Sequence, residues 1–246
     1  VILENIYQLF RKKSEFFKYK CCPVCYTCRK QKKRTGQRMK FWAYFLIPVY
    51  TVLFTRGYNW FTTNFSVIGN FFDRKKSFFL WGVLVGSYFY MIHRNIKSRA
   101  ALHPICARLI PAALVLLFCA ITTPYLPEEL PLKSVLHIVF AFLSAVLVLL
   151  YLFWIIRTRY QTEPGAYRPF LYGWGAIVGV SVILLAVAGI ISSALEIYVT
   201  LTSVAMAQRL ACRVAVQEEM PDSGGDTSEK ASRRKSLGKR RNHLLT

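Results

Sequence analysis

Acidic residues are scarce in this chain. Its 246 residues include 12 Asp and Glu against 33 Lys and Arg, a formal net charge of +21. Several signatures are missing altogether: there is no Walker loop, no G-x-S-x-G, no H-E-x-x-H and no dinucleotide fingerprint. The sequence therefore gives no motif support for nucleotide, zinc-protease or nicotinamide chemistry, and the reading leans away from an enzyme. The first and last three apolar segments show no match to each other, so an inverted-repeat transporter is unsupported. Val1–Phe10 lacks a basic n-region, so no signal-peptide pattern opens the sequence.

What the chain has in abundance is apolar material: 54% of residues are hydrophobic. A soluble nucleic-acid binder carries such a charge but does not stay soluble with that much apolar surface. A disordered basic protein lacks the Phe, Leu, Val and Ile present here. The two figures coexist because charge and apolarity occupy different stretches. Residues 134–156 carry no formal charge, and 170–207 carry only Glu196. A spanning helix needs roughly 20 apolar residues, so the second stretch reads as two helices joined by a turn near Gly189 to Ser193. The pattern predicts an all-α, polytopic integral membrane protein with six transmembrane helices, at about 41–58, 75–92, 105–123, 134–156, 168–188 and 194–212. A basic, Cys-rich segment (1–40) precedes the bundle (41–212), and a tail at 213–246 reads as disordered. A soluble helical protein is excluded by length, since such runs leave no polar face for water.

The charge then becomes an orientation signal. Twelve basic residues fall between Arg11 and Lys40, and 28 of the 33 fall on one side of the six-span scheme. The positive-inside rule places both termini in the cytoplasm, as an even number of spans requires. The localisation expected is the plasma (cell) membrane. Anionic lipid at the cytoplasmic face is the natural partner of these juxtamembrane cations, and no nucleic acid is expected.

Cys21, Cys22, Cys25 and Cys28 lie in CCPVCYTC. Four thiolates in eight residues are candidate zinc ligands, although the usual second, separated pair is absent. S-acylation beside a polybasic run is a second reading, and a reduced, unligated segment is a third. Cys106, Cys119 and Cys212 read as small apolar packers. Gly82-x-x-x-Gly86 and Gly175-x-x-x-Gly179 read mainly as packing within one molecule, with a homodimer as the alternative. Trp42, Trp60, Trp81, Trp154 and Trp174 fall near span ends, as in an aromatic belt.

Polar residues inside the spans carry the functional signal, because each is costly there. Glu196 and His137 both fall about one turn below the outer surface, and Asn64, Ser66 and Asp73 share that depth. The functional reading is an outward-facing polar pocket that binds a lipid or protein partner. An alternative is a small transporter or channel using Glu196 and His137 as an ion or proton site, and a second alternative is a lipid-modifying membrane enzyme. The structural reading pairs Glu196 with His137 or Arg56 to fix helix register.

The stretches NFSVIGNFF, PLKSVLHIVFAFLSAV and ISSALEIYVT together resemble uncharacterised bacterial six-span membrane proteins and, more distantly, the DRAM/Frag group. The resemblance covers roughly residues 41–210. It implies a compact six-helix bundle with no established chemistry, and interest in Asn64, Ser66, His137 and Glu196.

Overall fold

The computed structural model describes residues 36–70, 74–99 and 102–219. The cysteine cluster at 21–28, Asp73 and most of the basic tail lie outside the described residues.

The described residues are helical and contain no strand. Residues 36–41 enter a π-helical turn at Trp42–Leu46, which leads into α1 (Ile47–Thr55). The widened turn sits immediately before Pro48, which has no N–H to give to the carbonyl four residues back. The Ile47 N–H bonds instead to the Trp42 carbonyl five residues back. After a loop come the short α2 (Phe65–Asn70) and the long α3 (Lys75–Lys97). Then follow α4 (Pro104–Thr122), α5 (Pro131–Thr162), α6 (Pro164–Ala188) and α7 (Ser193–Glu219). Proline opens α4, α5 and α6, where its missing N–H costs nothing. Gly189 ends α6 in the left-handed conformation (φ 66°), a geometry that suits glycine because it has no Cβ.

Three helices, α4, α5 and α6, are long and apolar enough to cross a membrane. Their apolar side chains face outward as much as inward: Val115, Ile183 and Val187 are 62%, 61% and 78% exposed. Water would penalise such a surface, whereas hydrocarbon does not. The protein is therefore membrane-embedded. The two other long helices, α3 and α7, are more polar. Some of their polar groups turn inward: Tyr88 donates to the Val204 carbonyl at 3.0 Å, and the buried Gln208 lies beside both.

α3, α4, α5, α6 and α7 each pack on the next, and α7 returns to α3, closing a ring of five helices. α1 packs outside the ring against α3 and α7. Gly82 is where α3 meets α4, because a Cβ there would lie 2.9 Å from Ile121 Cγ2. A Cβ at Gly86 would make ordinary contacts with Leu114 and Leu117 of α4. Gly175 and Gly179 behave differently from the packing role expected of them. Nothing lies within 4 Å of a Cβ at either position, so this pair faces away from the bundle. The belt reading also fails at Trp81, which is buried on α3 and donates to Thr51 Oγ1 at 3.1 Å. An indole N–H so placed finds its partner in a helix hydroxyl rather than at the headgroups.

Candidate functional site

α2 is the element that builds the site. It is only six residues long, too short to hold itself together, and it is fixed by aromatic packing. The Phe65 ring stands edge-on to Trp81 (centroids 4.9 Å apart) and to Phe54 (5.5 Å). Phe65 and Ile68 are buried, and Ser66 is 7% exposed. Asn64 stands just before the helix, where its Oδ1 accepts from the Val67 N–H at 2.7 Å, a side-chain cap for an otherwise orphaned donor.

The loop before α2 is tied to the start of α7. The N–H groups of Ser193 and Ala194 donate to the carbonyls of Thr63 (2.6 Å) and Trp60 (2.8 Å). In return, Glu196 in the first turn of α7 accepts the Phe65 N–H on Oε2 at 2.7 Å. Each segment thus supplies the acceptors that the other lacks. This carboxyl group sits in the first turn of its own helix. This corrects the pairing expected from sequence. Glu196 is held by a backbone amide, not by His137 or Arg56, because the start of α2 carries that amide to it.

His137, 1% exposed, is held on both ring nitrogens. Nδ1 lies 2.9 Å from the Thr123 carbonyl, and Nε2 lies 2.5 Å from Ser66 Oγ. A carbonyl only accepts, so Nδ1 carries the proton and Nε2 presents its lone pair to the Ser66 hydroxyl. Phe78 and Tyr125 flank the ring, with centroids at 6.2 Å and 5.6 Å.

Inside the ring of helices lies a cavity of about 340 Å³. Asn64, Ser66, His137 and Glu196 all line it. Four of the five residues nominated by depth therefore converge on one space, from α2, α5, α7 and the loop; the fifth, Asp73, is outside the described residues. The rest of the lining is mainly apolar and runs along α5 from His137 to Leu149, roughly 18 Å at 1.5 Å per residue. Ile138, Phe142 and Val182 belong to this lining and yet are 38%, 49% and 60% exposed. The cavity thus reaches the outer apolar surface between α5 and α6.

Two of the further hydroxyls on the lining, those of Ser144 and Ser203, have no charge or titratable ring to mark them in the sequence. Ser144 donates to the Ala113 carbonyl at 2.8 Å, and Ser203 Oγ is buried with no partner among the described residues. Their positions two turns from His137 and Glu196 on the same helices were a usable cue. Among the described residues no group of His, Cys, Asp and Glu could hold a metal ion. A second depression, of about 490 Å³, lies at the other end of α7 beside Lys40, Arg209 and Arg213.

No family model, curated protein or solved structure matches the chain.

Proposed function

We propose that this protein is a six-span integral membrane protein that holds an amphipathic lipid in its central cavity. The observation that carries the reading is the cavity's polarity. Four polar side chains gather at one end of a largely apolar chamber that opens sideways between two lipid-facing helices. Such a space suits one acyl chain, with its polar group seated against Asn64, Ser66, His137 and Glu196. Transport of an ion or proton is less well supported, because beyond this end the lining offers hydroxyls rather than titratable groups.

The six long helical segments, 36–55, α3, α4, α5, α6 and α7, serve as the spans. Both termini lie in the cytoplasm, where Lys40, Arg94, Lys97, Arg209 and Arg213 sit on one side of the bundle and the loop carrying Asn64 on the other. Anionic lipid at that basic face is a second, peripheral partner. The outward-facing Gly175 and Gly179 on α6 are the surface a homodimer would use. The weak likeness to the DRAM/Frag group is compatible with this reading and adds no chemistry to it.

The test is lipid mass spectrometry on protein purified in mild detergent. A single lipid class should co-purify near one per chain, and Ala145→Phe, which puts a ring into the apolar chamber, should displace it while the protein stays folded. Retention of the same lipid in Ala145→Phe would overturn the proposal.

A further inference from the structure

The groups at the polar end of the cavity have the arrangement of an activated nucleophile. We propose that Ser66 and His137 form a nucleophile–base pair that cleaves a carboxylic ester of an amphipathic molecule seated in the cavity. The inference rests on the ligand-binding reading above and adds an activity to it.

Three features on the page carry it. First, the Ser66 hydroxyl points at a base. Its Oγ is 2.5 Å from His137 Nε2, and the Thr123 carbonyl at 2.9 Å fixes the imidazole in the tautomer that can take the serine proton. A nucleophile, a base and a third group that orients the base are the components that acyl transfer needs, whatever fold supplies them. Here the orienter is a neutral carbonyl rather than a carboxylate, and the ring is further held between Phe78 and Tyr125. Second, a donor lies on the same lining as the nucleophile. Asn64 Oδ1 is occupied by the Val67 N–H, which leaves the side-chain NH₂ without a partner among the described residues, on the cavity lining two residues from Ser66. An amide N–H at such a position is suited to the oxygen of a tetrahedral intermediate. Third, the acyl chain has a place to lie. The apolar chamber continues from this end along α5.

The reaction balances with water alone. Ser66 Oγ bonds to the ester carbonyl carbon as its proton passes to His137 Nε2. The carbon–oxygen bond to the alcohol then breaks, and the alcohol leaves with that proton. Water attacks the acyl-serine and gives a proton to Nε2, which returns it to Ser66 Oγ as the fatty acid departs. One ester and one water become one acid and one alcohol. The cavity's form selects a long, unbranched acyl chain.

The full chain in phosphatidylcholine nanodiscs is treated with a long-chain alkyl fluorophosphonate, the labelled residue is mapped by mass spectrometry, and hydrolysis of p-nitrophenyl esters of rising chain length is followed. Labelling at Ser66, lost in Ser66→Ala, is expected, with hydrolysis favouring long chains and falling at least about a hundredfold in His137→Gln. Native protein that keeps its co-purifying lipid but is not labelled at Ser66 overturns the hydrolytic proposal and leaves the binding reading standing. Labelling of Ser66 that is unchanged in His137→Gln also overturns the pair. Labelled protein without a co-purifying lipid supports the pair and tells against stable lipid binding.

Discussion

Replacing Glu196 tests how the loop and α7 hold each other. In the structure Oε2 receives the Phe65 N–H at 2.7 Å, at the first turn of α7. Glu196→Gln keeps an oxygen in place and removes the ability to ionise. A hydrogen bond to a charged group contributes about 1.5–3 kcal/mol against about 0.5–1.5 for a neutral one, so the expected loss is at most about 1 kcal/mol. Glu196→Ala removes the acceptor and strands a buried N–H, at a cost of about 1–3 kcal/mol. The alanine variant should therefore lose about 1–3 kcal/mol in all. At about 2–4 °C per kcal/mol for a chain of this size, the midpoint should fall by at most about 4 °C for glutamine and by about 2–12 °C for alanine. Thermal unfolding of detergent-solubilised protein, followed by intrinsic fluorescence, gives both values. Equal losses in the two variants would show that charge, not the hydrogen bond to Phe65, is the main contribution. No loss in either would refute the strapped geometry.

The other perturbations are read in the same assay. Gly82→Ala should destabilise by about 1–3 kcal/mol, because its methyl would meet Ile121 at 2.9 Å. Gly86→Ala and Gly175→Ala, with room for a methyl, should be neutral or gain up to about 1 kcal/mol through the unfolded chain. Gly189→Ala should cost about 1–2 kcal/mol, because φ is 66° and a Cβ is strained there. Trp81→Phe should cost about 1 kcal/mol by removing the bond to Thr51, and should also remove a blue-shifted component from the fluorescence spectrum. An unchanged spectrum would contradict the buried indole.

Much of the site was legible before any coordinates, for a physical reason. A charged or imidazole group within an apolar run is expensive, so Glu196 and His137 stood out, and counting turns from the loops gave their depth. The same counting picked Asn64 and Ser66. It could not say what each group touches, since depth along a helix leaves the rotation of that helix open. The partner of Glu196 was misjudged for this reason. Backbone amides carry no mark in a sequence, and Phe65 reads as one more aromatic residue until α2 is seen folded back into the bundle. Trp81 shows the same limit. Its position near a span end fits a belt, yet the rotation of α3 turns it toward Thr51. The glycine pairs separate likewise: identical spacing, but Gly82 faces α4 and Gly175 faces outward.

By itself, the sequence determined that the chain is helical and membrane-embedded, because long uncharged runs admit only structures that satisfy every backbone group internally. Local spacing also located the turn at Gly189. Tertiary structure alone decided the rest. It closed five helices into a ring with a chamber inside, turned the apolar lining outward between α5 and α6, and brought Ser66 to His137 across 71 positions of chain. Those outcomes depend on the rotation and packing of whole helices, which no local pattern of residue types encodes.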